Sequence, residues 1–138
     1  MTTASAIQLK KLWWVGPLTV VAAIVGVLTV RAIAMLILQP PYAPGLEMIA
    51  LPIVLTVILC TGAVLVFALV GRFAKNPVRT YIIISSVFLV VSFLPDIAVA
   101  SAPFPGAGWA YSITLMIMHV VAGFITVYTL IKLTTTSK

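Results

Sequence analysis

The sequence predicts an all-α, membrane-embedded four-helix bundle with both termini cytoplasmic. Three observations lead there. Of the 138 residues, 63% are hydrophobic and only 7% charged, whereas a soluble domain carries about a quarter charged residues, so lipid must be the solvent for much of the surface. The apolar residues fall into four runs, about 13–38, 47–71, 80–100 and 109–132, each long enough for the roughly 20-residue crossing of a bilayer core. The cations gather at the ends of those runs. The clearest group is Gly71 to Thr80, where Arg72, Lys75 and Arg79 stand in one short connection without an acidic residue.

That basic connection sets the topology. Asn76-Pro77 is a turn signal, because proline biases the residue before it away from the helical region. Short cytoplasmic loops carry the excess of Lys and Arg. Four spans then place every Lys and Arg except Arg31 on the cytoplasmic side: Lys10, Lys11, Arg72, Lys75, Arg79, Lys132 and Lys138. The first six of these are candidate contacts for anionic inner-leaflet lipid. A net charge of +6 distributed this way forms no continuous stripe, which argues for lipid and against nucleic acid. Cys60 is the single cysteine, so an internal disulfide, a C-x-x-C pair and a thiolate zinc cluster are excluded.

In chain order, Met1 to Leu9 reads as a frayed tail. Lys10 and Lys11 precede an interfacial pair, Trp13 and Trp14. The first run is too long for a secretory signal core of roughly 7–15 residues. Ala32-Ile33-Ala34 has cleavage-site spacing, but Arg31 precedes it and the run continues, so the segment is expected to stay. Gly16, Thr19, Ala23 and Gly26 share one face of this span, where small residues let membrane helices approach closely. Gln39 to Leu46 is a proline-rich, cation-free turn. Glu47 opens the second span, where a carboxylate suits the helix dipole. Pro52, Thr56, Cys60, Ala63 and Phe67 share its face, with Cys60 read as a small buried hydrophobe.

In the third span Ser85, Leu89, Ser92 and Asp96 recur on one face, with Pro95 loosening the last turn. Ser101 to Gly108 is a second uncharged turn. Its likeness to the first fits either two parallel repeats or a coincidence of turn chemistry. Trp109 and Tyr111 anchor the fourth span. Ser112, His119 and Thr126 follow at intervals of seven, beside Met116 and Gly123, and Thr134 to Lys138 forms a tail.

No catalytic or phosphate-binding motif stands out, and one His, one Asp and one Glu make a poor metal site. A haem held by two histidines would need a second chain, so no cofactor is assigned. The intramembrane polar residues are therefore the candidate site: Arg31, Ser85, Ser92, Asp96 and His119. Ionisable groups are costly in lipid and mark function by default. Helical rise places Arg31 and Asp96 at similar depth, ~27 Å beyond Trp13 and ~22 Å beyond Tyr81. A pair between them is one expectation; Arg31 reaching the headgroups or Glu47 is the other. His119 is expected to face the interior, bonded to a neighbouring Ser or Thr or serving as a proton relay.

The segments N-P-V-R-T-Y, S-F-L-P-D and L-M-I-M-H-V-V-A-G, most clearly Asn76 to Gly123, resemble a bacterial family of small four-span membrane proteins known only as a domain of unknown function. The resemblance implies a four-helix membrane fold in the bacterial inner membrane. It transfers no activity, and would carry the M-H-x-x-A pattern to Met118, His119 and Ala122 and the acidic span end to Asp96. Small multidrug exporters are similar in length but use a glutamate in the first span, where this chain has Arg31. Small fluoride channels are also similar in length, but their asparagine-rich and Phe-Ser motifs are not evident. The expected role is thus a non-enzymatic accessory or scaffold protein whose partners are the bilayer and either itself or another membrane protein. The alternative is a small oligomeric transporter or channel with a polar path near Asp96 and His119. A weaker third class is an enzyme or redox carrier using His119.

Overall fold

The structure is a computed structural model and describes residues 6–136. Four long helices dominate it: α1 (Leu12–Ile37), α3 (Ala50–Phe73), α4 (Pro77–Val99) and α5 (Trp109–Thr134). A one-turn helix, α2 (Pro44–Glu47), interrupts the connection between α1 and α3. All four long helices are long and apolar enough to cross a membrane, the architecture of a multi-pass membrane protein. The helix is what such sequences must form, because hydrocarbon offers the backbone no hydrogen-bond partner.

The helices form a ring in which α1 packs against α5 and α3, and α4 against the same two. Small residues set the approach of α1. Thr19 and Ala23 are fully buried. A Cβ added at Gly26 would lie 2.5 Å from Ile125 Cδ1 on α5, and one added at Gly16 would lie 3.3 Å from Val64 Cγ1 on α3. The buried face of α3 holds Pro52, Thr56, Cys60 and Phe67. Two apolar clusters fill the bundle. One joins Val15, Phe67, Tyr81 and Leu130, with the Phe67 and Tyr81 rings edge to face at 4.7 Å. The other joins Val27, Ala34, Ala43, Leu46, Tyr111 and Met118.

Both ends of the described chain meet. Ala6 pairs with Thr136 and Ile7 with Thr135 in a two-residue antiparallel bridge, β1 to β2. Leu9–Lys11 makes a turn of 3-10 helix into α1. A frayed tail was expected at the N-terminus and a short tail at the C-terminus, but the bridge ties the two together from Ala6 and up to Thr136; residues 1–5 and 137–138 lie outside the described residues. Gly71 lies against Ile7 and Leu9, so the α3–α4 turn sits at the same end. Lys10, Lys11, Arg72, Lys75, Arg79 and Lys132 belong to these segments, making this the basic end.

One local expectation changes. Glu47 closes α2 instead of opening the second span, which starts at Ala50. The sequence Pro44-Gly45-Leu46 starts its own turn, since proline is preorganised for the first helical position. Pro52 then falls in the first turn of α3, where its missing N–H is harmless. At the α3–α4 junction, Asn76 is the cap and Pro77 the first residue of α4.

Candidate functional site

Asp96 and His119 meet on the side of the bundle away from the basic end. Asp96 lies three residues before the end of α4 and is buried, 4% exposed. Its Oδ2 is 2.8 Å from Nδ1 of His119 on α5. His119 keeps 29% of its side-chain surface open. His119 is ten residues into α5, so the pair lies ~15 Å of helix below Trp109. Since Asp96 is so near the end of α4, α5 must project beyond α4 by about two turns, and residues 100–108 climb along it. That loop is held by Phe104, whose ring meets Tyr111 edge to face at 6.4 Å.

Of the two expectations for Arg31, the pair with Asp96 is not formed. Among the described residues the one ion-pair contact of Asp96 is His119. Arg31 instead reaches the main-chain carbonyl of Glu47 at 3.4 Å, not its carboxylate, and its Nε is shielded without a partner. Depth alone did not separate the candidates, because α1 and α4 stand diagonally across the ring while α5 lies beside α4. His119 likewise takes a carboxylate where a Ser or Thr was expected.

Of the other candidates, Ser92 donates to its own helix at Leu89 O, 2.7 Å away. Ser85 is half-buried on the same face of α4. Deeper in the bundle, Thr126 Oγ1 meets Cys60 Sγ at 3.4 Å, linking α5 to α3. The basic-end cations Lys10, Arg72, Lys75, Arg79 and Lys132 are exposed and Lys11 half-buried. Arg72 lies over the Phe73 ring at 5.7 Å.

Sequence reasoning missed Tyr111, read as an interfacial anchor beside Trp109. Tyr111 is buried, and its Oη accepts the Gly45 amide N–H at 3.0 Å, fastening α2 to α5. The signal was present: residues two apart on a helix point to opposite sides, so only one of the two could face outward, and that is Trp109 at 63% exposed. Among the described residues no three His, Cys, Asp or Glu side chains group as a metal site. A shallow cleft between Tyr42, Leu46, Gly106 and Tyr111 marks the loop end.

Fold and site together define a small four-helix membrane protein with a carboxylate–imidazole pair between its last two long helices. The chain belongs to the Family of unknown function (DUF6069), whose model matches residues 7–136. No curated protein and no solved structure matches it.

Proposed function

We propose that the protein is an accessory or scaffold component of a bacterial inner (plasma) membrane, packing against other membrane helices or a second copy of itself, with both termini and the basic turn cytoplasmic. One observation carries this reading. Asp96 is engaged with His119 and Thr126 with Cys60 inside the bundle, while α4 turns Ile83, Val87, Phe88, Val90 and Leu94 outward. Such a surface suits lipid or another apolar helix. The six basic-end cations support the orientation, since anionic lipid attracts Lys and Arg. Purification in a mild detergent, with chemical crosslinking in the native membrane beforehand, tests the role. A defined partner or self-complex at fixed stoichiometry is the expected result; a monomer crosslinked to nothing overturns it.

A second reading has its own support. Ser85, Ser92 and Asp96 share a face of α4, and His119 meets Asp96 from α5, as a polar path in a small oligomeric transporter or channel would require. Ion flux into liposomes holding only this protein, lost in Asp96→Asn, distinguishes it from the accessory role.

A further inference from the structure

Arg31 and Glu47 are neighbours at the end opposite the basic one, and neither neutralises the other. Arg31 stands six residues before Ile37, the end of α1, and Glu47 closes α2. The guanidinium touches the main-chain carbonyl of Glu47 at 3.4 Å. Among the described residues it makes no other hydrogen bond, and the one ion pair, Asp96–His119, involves neither residue. The Glu47 side chain is exposed. A cation and an anion thus share one corner of the bundle without being partners.

The donor state of this corner is fixed. A guanidinium keeps its charge at any physiological pH and carries five N–H donors, and a carboxylate only accepts. One long contact occupies a single Arg31 donor, and Nε is shielded without a partner. The donors still open lie at the Nη end of the fork, whose geometry matches a phosphate. The depth also fits. Arg31 is only ~9 Å of helix from the end of α1. Trp109, 63% exposed, opens α5 at the same end, and tryptophan sits at head-group level. Ile33, Leu36, Met48 and Ile49, which flank the two charges in sequence, are exposed apolar side chains. A ligand here therefore meets a cation, an anion and an apolar surface together.

We propose that Arg31 and Glu47 form a binding site for a phospholipid with a primary-amine head group. The lipid phosphate accepts from the Arg31 Nη groups, and its ammonium donates to the Glu47 carboxylate. Each end of the zwitterion meets the opposite charge, and the acyl chains cover the apolar side chains beside it. Free phosphate would use the arginine alone. The inference rests neither on the accessory role nor on which face of the membrane this end occupies.

Delipidated protein in detergent, titrated with one lipid at a time and followed by native mass spectrometry, tests the site. The probes are phosphatidylethanolamine and phosphatidylcholine with identical chains. They share the phosphate and the net charge, but methyl groups replace the N–H donors of the second. The ethanolamine lipid should bind at least about threefold more tightly, since a charge-assisted hydrogen bond is lost with choline. Glu47→Gln should erase that preference and leave the choline lipid unchanged. Arg31→Gln should weaken both lipids roughly tenfold, because both rely on the phosphate contact. If that variant fails to fold, Arg31→Lys, which keeps the charge and loses the fork, must still weaken both. Equal affinity for the two lipids in the native protein overturns the proposal. So does a preference that survives Glu47→Gln, or binding that neither arginine variant weakens. Tighter choline-lipid binding in Glu47→Gln also overturns it, since Glu47 would then be the ion-pair partner of Arg31 and a competitor of the phosphate.

Discussion

His119 Nδ1 and Asp96 Oδ2 stand 2.8 Å apart and join α5 to α4. Removing either partner leaves the other without its bond at membrane depth. Interhelical hydrogen bonds in membranes average about 0.6 kcal/mol and reach about 1.7, and a carboxylate–imidazole pair belongs near the upper figure. Asp96→Ala and His119→Ala should each lower thermal stability in detergent, and the double variant should lose about 1–2 kcal/mol less than their sum. Arg31→Ala combined with Asp96→Ala should be additive, because no contact joins them. Coupling in the arginine cycle and none in the histidine cycle would reverse the assignment.

The residue spacing explains why this pair was only half legible. The period of Ser85, Leu89, Ser92 and Asp96 states which side of α4 faces inward, because helix geometry is local. The identity of the neighbour across that face is not local. It depends on the order of helices around the ring, and apolar runs of nearly equal composition carry no label for it. Depth pointed from Asp96 to Arg31, and it gave no reason to choose His119. Length and hydropathy fixed the four helices for the same reason that they left the ring order open. The short helix Pro44–Glu47 and the Ala6–Ile7 bridge were also hidden. Both are brief pieces whose hydrogen bonds are completed by residues distant in sequence, Tyr111 for one and Thr135–Thr136 for the other.

The Gly45–Tyr111 contact makes a paired prediction. A Cβ at Gly45 would collide with Tyr111 Oη, while the next ring atom, Cζ, would be 3.3 Å away. Gly45→Ala should cost about 1–3 kcal/mol by overpacking. Tyr111→Phe should cost about 1–3 kcal/mol by leaving the Gly45 N–H unpaired. The double variant removes the colliding oxygen, so it should be more stable than the sum of the two losses. Detergent melting curves of the four proteins check this, and a double variant at or below the sum contradicts the contact.

The glycines of the spans should separate by their surroundings. Gly26 faces Ile125 and Val121, whereas a Cβ at Gly62 would meet nothing within 4 Å. Gly62→Ala should therefore be neutral or stabilise by about 0.5–1 kcal/mol, since alanine is the better helix former. Gly26→Ala must displace the flexible tip of Ile125 and crowds Val121 Cγ1 at 3.0 Å, while Gly26→Leu must push α1 off α5 and should cost about 1–3 kcal/mol. Equal tolerance of leucine at Gly26 and Gly62 would place α1 away from α5.

Orientation is open to a direct chemical test because Cys60 is the single cysteine and is buried. Replacing it with alanine removes the background thiol at the cost of its contact with Thr126. A new cysteine at Asn76 then reports the basic end, since Asn76 is exposed in the α3–α4 turn. A second, at Gln39, reports the opposite end, where the side chain is also exposed. If Lys and Arg hold their end at the cytoplasmic face, a membrane-impermeant maleimide should label Gln39→Cys in intact cells and Asn76→Cys only after the cells are opened. The two sites are separated by the length of α3, 24 residues or ~36 Å of helix, so one chain cannot present both on the same face. Labelling of Asn76→Cys in intact cells, with Gln39→Cys protected, would invert the protein in its membrane. It would also set the six cations against the outer surface and remove the inner-leaflet lipid contact assigned to them.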